Sequence, residues 1–460
     1  MQKKFNSIIN SAPAFIIKYW LVFTLFFELA RVAFICFNYD LSSGLPAKEF
    51  FAVLYHGLRM DLSMAAYISV PVGLLFLFRR FLSNKVLKTA IIIYTTIISS
   101  LIIIIVISDV LLFRAWGNRI DATPLKYLSN PAEMYASISH LPLLIISVII
   151  VIILAILFVI LKKLINKGIN FKHQNFVEIL ILLLVIGAFI IPIRGGFQLA
   201  PLNQSSVFFS NNNFANQAAI NAAWNLMYSL NQNENNKSNP YIVSDNIDAV
   251  AAVDSLYSRK GKTQYFLKTK TPNVIIITWE SFTAKVIDEV KEGKEIVPGY
   301  NKLKNEGLYF PNIYAAGDRT DKGIVAVLSG YPAFALTSIV KIPKKASSLP
   351  IISKEFLNHG YSTSFYYGGE PEFANMKAYL MQGGFNNFIT INDFKKEDLN
   401  SKWGAHDGVV ANKIKDDLGN LKRPFFVNWL TLSSHEPFEV PGPPSFSGSD
   451  DESMFSNSLH

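Results

Sequence analysis

One cysteine, Cys36, is present, so an intrachain disulfide is impossible. Any exported part must be held by packing or by a bound metal. Internal repeats are absent. Low complexity is confined to an Asn-rich stretch at 231–240 (NQNENNKSNP) and to the polar end SGSDDESMFSNS. Small residues are missing before Cys36, where Ala33, Phe34 and Ile35 stand. A lipoprotein or secretory cleavage site wants small side chains there, so the first apolar segment reads as an uncleaved anchor.

What is plentiful is apolar surface. Half of the 460 residues are hydrophobic and 36 are Phe. That is too apolar for an ordinary soluble enzyme and too long for one domain. Five stretches approach the roughly 20 apolar residues a spanning helix needs: 19–38, 62–78, 89–112, 141–161 and 177–193.

The net charge of +9 suggests nucleic acid only until the lysines are located. Lys3 and Lys4 precede the first span. Arg79, Arg80, Lys85 and Lys88 fill the loop after the second, and Lys162, Lys163, Lys167 and Lys172 the loop after the fourth. The alternate loops carry mixed charge: Lys48, Glu49, Arg59 and Asp61 in one, Arg114, Arg119, Asp121, Lys126 and Glu133 in the other. The positive-inside rule then places the amino terminus in the cytoplasm and everything after about residue 194 outside the cytoplasmic membrane. Topology accounts for much of the basic balance, and no nucleic-acid partner is called for. Inside the first span, Glu28 and Arg31 share one helix face. Charges in lipid are costly, so a structural pair facing other helices is the first reading and a lipid-headgroup contact the second.

The expected domains are 1–195, five transmembrane helices; 196–270, an extracytoplasmic helical linker with a helix from about Asn216; and 271–460, an α/β domain. In the last, NVIIITW reads as a buried strand, GLYFPNIYA as a strand, and STSFYY and PFFVNWLTL as two more. Helices are expected at 298–306, 321–329, 351–358, 372–382 and 407–417. Strands alternating with helices indicate a largely parallel sheet.

Sites in such sheets gather at the carboxyl ends of strands. Glu280 and Ser281 follow NVIIITW at that place. The carboxylate is either a metal ligand or a loop cap. Thr320, in GDRTDKG, stands at an expected helix start. It reads as an N-cap, or as a hydroxyl poised to attack a phosphate or sulfate ester held at the helix N-terminus. Arg319 and Lys322 either offset charge on the transferred group or form a solvated charge run. His435 follows an apolar strand, where it would hold a substrate oxygen or protonate a leaving group, unless it is ordinary polar surface. Trp403, His406 and Asp407 precede a helix that Asp407 equally caps. Tyr366, Tyr367, Gly368 and Gly369 end another strand, and the glycines permit close backbone approach.

The ordered motifs TWES, GDRTDKGIVAVLSGYP, HGYSTSFYYGG, KWGAHD and LTLSSHEPFEVP resemble the lipoteichoic acid synthase family. These are membrane-anchored members of the sulfatase and alkaline phosphatase superfamily. The membrane-side pieces GLRMDLS and WGNRIDATPLKYLSNPAE resemble it too. The resemblance implies five membrane helices, an extracytoplasmic sulfatase-like domain and phosphoryl-group transfer through a phospho-threonine. On that pattern Thr320 is the nucleophile, and Glu280 and Thr320 ligate a divalent metal, usually manganese. His435 contacts substrate; Arg319, Lys322, Trp403, Asp407 and Tyr367 complete the candidate substrate site. The implied donor is a phosphatidylglycerol-like phospholipid and the acceptor an envelope glycan or glycolipid.

Two departures qualify the match. Ala374-Asn375-Met376 stands where the Gram-positive polymerases carry Trp-Asn-Arg, and Arg319-Thr320-Asp321 where they carry Lys-Thr-Ser. Both resemble versions from Bacteroidetes-like bacteria. The family's Asp-His metal pair does not follow His435. The expectation is therefore an incomplete chain, inactive as it stands, with a strand edge and apolar helix faces uncovered. Three alternatives remain open: a sulfuric or phosphoric ester hydrolase, a phosphoethanolamine transferase, and a non-catalytic envelope protein.

Overall fold

The structure, a computed structural model, describes residues 11–125, 142–168, 176–234, 249–258, 261–262, 264–334 and 338–460. Lys3, Lys4, Lys126, Glu133 and Lys172, used above to orient the spans, lie outside them. Two compact units form: 1–233 with 372–378, and 234–371 with 379–460. Residues 196–233, expected in the linker, cluster with the first unit.

Five helices of the first unit are long and apolar enough to cross a membrane. They are α1 (Ala12–Phe37), α2 (Ala47–Leu77), α3 (Asn84–Trp116), α4 (Leu143–Gly168) and α5 (Phe176–Arg194). α1 and α2 begin 7 and 15 residues before the expected spans, α3 is longer at both ends, and α4 runs 7 residues further at its carboxyl end, because caps as well as hydropathy set where a helix starts and stops. Ser11 caps α1 through the Ala14 N–H, with Pro13 in the first turn. Ser83 caps α3 through the Val86 N–H, and Gly117, at φ +66°, closes it by donating to the Phe113 carbonyl at 2.7 Å. Two further helices follow, α6 (Asn213–Ala219) and α7 (Ala222–Glu234).

The expected Glu28–Arg31 pair is only peripheral, at 3.9 Å. Arg31, 2% exposed, turns to α2 and donates to Asp61 at 2.6 Å. It also donates to the Ala218 and Ala219 carbonyls that end α6, at 2.7 and 2.5 Å. The other Asp61 oxygen accepts from Asn221 at 2.7 Å. Beside them Arg119 pairs with Asp109 on α3 at 3.0 Å and lies 4.0 Å over the Phe34 ring. Arg31, Asp61, Asn221, Asp109, Arg119 and Phe34 line one cavity. An arginine in an apolar setting needs a carboxylate and several acceptors, and an i−3 neighbour on its own helix cannot supply them all.

In the second unit, β1 (Val274–Thr278), β4 (Ser362–Tyr367), β5 (Asn387–Ile389) and β6 (Phe425–Leu430) form a four-stranded sheet in the order β1-β6-β4-β5. Every pairing is parallel, with Ile276 opposite Asn428 and Tyr366 opposite Trp429. Strands β4 and β6 are buried on both faces, as central parallel strands are. The reading of NVIIITW as a buried strand needs correction. β1 is an edge strand, and Ile275 and Ile277 are about half exposed. GLYFPNIYA is not a strand: its backbone pairs with no strand among the described residues, and Pro311 has no N–H to give. A small hairpin, β2 (Val290–Lys291) with β3 (Lys294–Glu295), was not anticipated, nor was β5.

The longer helices are α8 (Ala249–Tyr257), α9 (Pro298–Glu306), α10 (Thr320–Ser329), α11 (Ile352–Asn358), α12 (Met376–Gln382), whose first three residues cluster with the first unit, and α13 (Asp407–Leu418). The polar end of the chain forms a further helix, α14 (Asp451–Leu459), started by Asp450 accepting from the Ser453 N–H at 3.0 Å. Its Phe455 and Leu459 pack with Phe446 against Val286, Ile296 and Val297. A second cluster, Tyr366, Val410, Ile414, Phe425 and Val427, lies between the sheet and α13.

Candidate functional site

β1 carries the chain to Glu280 at the carboxyl end of the sheet. Trp279, Phe282 and Tyr300 pack together there, with ring centroids 4.6 Å apart for the first two and 4.8 Å for the last two. Ser281 has φ +55°, uncommon for a residue with a Cβ, so the chain turns sharply just past the carboxylate.

α10 presents Thr320. The N-cap reading fails: Arg319, with extended backbone, occupies the cap position, and Thr320 is the first residue inside the helix. Its hydroxyl therefore leaves the helix end and donates to Glu280 Oε2 at 2.8 Å. Glu280 Oε1 accepts from the Ser281 hydroxyl at 3.1 Å. The hydroxyl and carboxylate, 40 residues apart in the chain, meet directly.

The neighbouring cations differ. Arg319 is exposed, while Lys322 pairs with Asp318 at 3.0 Å. The hydrogen bond from Lys322 holds the exposed Asp318 carboxyl below the usual range. Asp321 is buried, with Lys341 at 2.9 Å. Tyr367, at the end of β4, is half-buried. Burial first, and then the charges of Glu280, Asp407 and Glu370, push its hydroxyl pKa up, so it stays a protonated donor. The close approach expected of Gly368 is real: its carbonyl accepts from the Ala405 N–H at 3.0 Å, and a Cβ there would run into the Ala405 carbonyl.

Trp403 and His435 pair with each other, ring centroids 4.7 Å apart. The Trp403 Nε1–H donates to the Glu436 carbonyl at 2.7 Å, and His435 Nδ1 lies 3.1 Å from the same oxygen. Asp407 faces inward. Its Oδ1 accepts from the Leu432 N–H at 2.7 Å and its Oδ2 from the Ser433 N–H at 2.8 Å. Burial raises its pKa despite these bonds. His406 is buried, and burial lowers its pKa.

Sequence reasoning passed over Thr431 and Ser434. Thr431 Oγ1 accepts from the Glu280 N–H at 2.8 Å, and Ser434 Oγ donates to the Glu280 carbonyl at 2.5 Å. The available signal was a run of three hydroxyls, Thr431, Ser433 and Ser434, at the end of a buried strand, where a polar loop meets another polar loop.

Glu280 and Thr320 offer two oxygen donors of the kind a hard divalent cation takes. Among the described residues, no group of three His, Cys, Asp or Glu side chains gathers to hold a metal. Two ligands are fewer than the three or four protein ligands of a zinc-like site. These residues alone do not make a complete metal centre.

The sulfatase family model matches residues 272–455. Among the described residues, five spanning-length helices are thus followed by a parallel α/β domain that the sulfatase model matches. The chain is similar to "Lipoteichoic acid synthase-like YvgJ" of Bacillus subtilis, 26% identical over 216 residues, covering 46% of this chain and 34% of the relative. It is also similar to "Lipoteichoic acid synthase 2" of the same organism, 29% identical over 181 residues, covering 38% and 27%. A solved structure from Vibrio parahaemolyticus, described as a protein in the alkaline phosphatase superfamily, is 28% identical with a TM-score of 0.38, covering 42% of this chain and 49% of that one. The chain spans about a third of the length of the curated relatives it matches. The similarity to lipoteichoic acid synthases extends over less than half of this chain.

Proposed function

We propose that the protein is a phosphotransferase of the lipoteichoic acid synthase type, anchored in the cytoplasmic membrane with its sulfatase domain on the outer face. The observation that carries this reading is the 2.8 Å hydrogen bond from the Thr320 hydroxyl to Glu280 at the mouth of a parallel sheet. A weak nucleophile needs an adjacent base, and the carboxylate stands where that base belongs. The Thr320 oxygen attacks the phosphorus of a phosphatidylglycerol-like donor. A bond from Thr320 oxygen to phosphorus forms, the bond from phosphorus to the diacylglycerol oxygen breaks, and the threonine proton passes to the Glu280 carboxylate. The departing diacylglycerol oxygen takes up a proton from solvent.

An acceptor hydroxyl on an envelope glycan or glycolipid then attacks the phospho-threonine: a bond from the acceptor oxygen to phosphorus forms, the bond from phosphorus to the Thr320 oxygen breaks, the Thr320 oxygen takes its proton back from Glu280, and the acceptor's proton passes to solvent. The exposed Arg319 and the protonated Tyr367 hydroxyl are the groups that meet anionic phosphate oxygens, with Lys322 beside them. Trp403 and His435 form the wall next to Glu436. Manganese or another divalent ion is the cofactor this reading calls for; Glu280 and Thr320 would be among the residues that hold it, and its charge would favour ionisation of the hydroxyl.

The test is capture of the intermediate. In a homologue that carries the Asp-His pair, headgroup-labelled phosphatidylglycerol should label the threonine matching Thr320. Replacing that threonine by Ala should abolish the label, and by Ser should leave part of it. Undiminished label in the alanine variant refutes the nucleophile. The 460-residue chain itself should bind manganese at less than one equivalent in a calorimetric titration.

A further inference from the structure

We infer that Asp407 is a positioning residue that fixes Glu280 through the loop after β6, and does not contact substrate. The inference rests on the Thr320–Glu280 reading above and deepens it. Both Asp407 oxygens are committed, one to the Leu432 N–H and one to the Ser433 N–H. The Asp407 N–H donates in turn to the Ser433 hydroxyl at 2.9 Å. The two adjacent N–H groups bond to different oxygens of Asp407, and an amide in its place would turn an NH₂ toward one of them.

The loop so held spans 431–434, and its ends grip Glu280. Thr431 takes the Glu280 N–H, Ser434 donates to the Glu280 carbonyl, and the Thr431 N–H donates to the Thr278 carbonyl at 3.0 Å. Those bonds matter because the chain bends unfavourably at Ser281 directly after Glu280, and a strained turn persists only where its surroundings fix it. The relay therefore runs from Asp407 to Leu432 and Ser433, from Thr431 and Ser434 to Glu280, and from Glu280 to Thr320.

A purely local role for Asp407 would tether the first turn of α13 to the loop and leave Glu280 untouched. Hydrogen exchange separates the two on the full 460-residue chain in detergent. In Asp407→Asn, the Leu432 and Ser433 amides should exchange about tenfold faster or more, and so should the Glu280 amide. Protection across β4 and β6 should persist. Thr431→Val should speed the Glu280 amide alone, and Thr431→Ser, which keeps the hydroxyl, should restore it. A Glu280 amide unchanged in Asp407→Asn overturns the inference. So does an unchanged amide in Thr431→Val, which stands as the independent check if the Asp407 variant fails to fold. In a homologue with the Asp-His pair, the matching Asp→Asn should lower kcat about tenfold while KM for donor holds; a change in KM alone would place the carboxylate on substrate. Exchange reads the relay whether or not transfer occurs, so loss of the transferase reading and loss of this one give different results.

Discussion

Removing the carboxylate of Asp61 should cost the first unit about 3–5 kcal/mol, the usual penalty for breaking a buried ion pair from one side. Arg31 is 2% exposed and Asp61 fully buried. In Asp61→Ala the guanidinium keeps the Ala218 and Ala219 carbonyls but retains only a carboxylate 3.9 Å away, and Asn221 loses its acceptor as well. The double variant Arg31→Met with Asp61→Leu removes both charges. It should recover most of that loss, because the desolvation cost goes with the charges. Gly57 provides a second handle. A Cβ there would overlap the Arg31 guanidinium, so Gly57→Ala should weaken the same pair without touching a charge. Unfolding midpoints in detergent measure all four proteins. A loss below about 1 kcal/mol for Asp61→Ala, or a double variant no better than the single, would refute the reasoning.

Gly368→Ala should destabilise the second unit by about 1–3 kcal/mol, read as a lowered unfolding midpoint, since the added methyl meets the Ala405 backbone, which has no room to yield. His406 is held below its ordinary pKa by burial, so its contribution is full above the unfolded value of about 6.5 and is lost as pH falls through the folded value. Stability measured from pH 7.5 downward should fall from about pH 6.5, and His406→Gln should flatten that slope; an unchanged slope would remove His406 as its source. Trp403→Ala should free the His435 ring and alter donor KM more than kcat in a homologue with the Asp-His pair, and equal effects on both would argue against a binding-wall role.

Much of this protein is local chemistry and was open to inspection in the sequence. Long apolar runs have one stable outcome in lipid, and α1 to α5 follow from them. β6 follows from a largely apolar run and β4 from a short run closing on three aromatic residues, and the helices at 298–306 and 407–418 from the segments between strands. Glu280 at a strand end and Thr320 at a helix start were legible for the same reason. Tertiary structure alone decided what each side chain meets. Arg31 chose Asp61 over Glu28 because a helix packed alongside offers a carboxylate and a free helix end together, whereas an i−3 neighbour offers one distant oxygen. Thr320 became a donor to Glu280 because Arg319 took the cap position and turned the hydroxyl toward the sheet. Asp407, Thr431 and Ser434 gained their roles only when two loops met across β6. Hydrogen bonds between residues 25 to 154 positions apart leave no period in the chain, because each depends on a distance that the packed sheet creates.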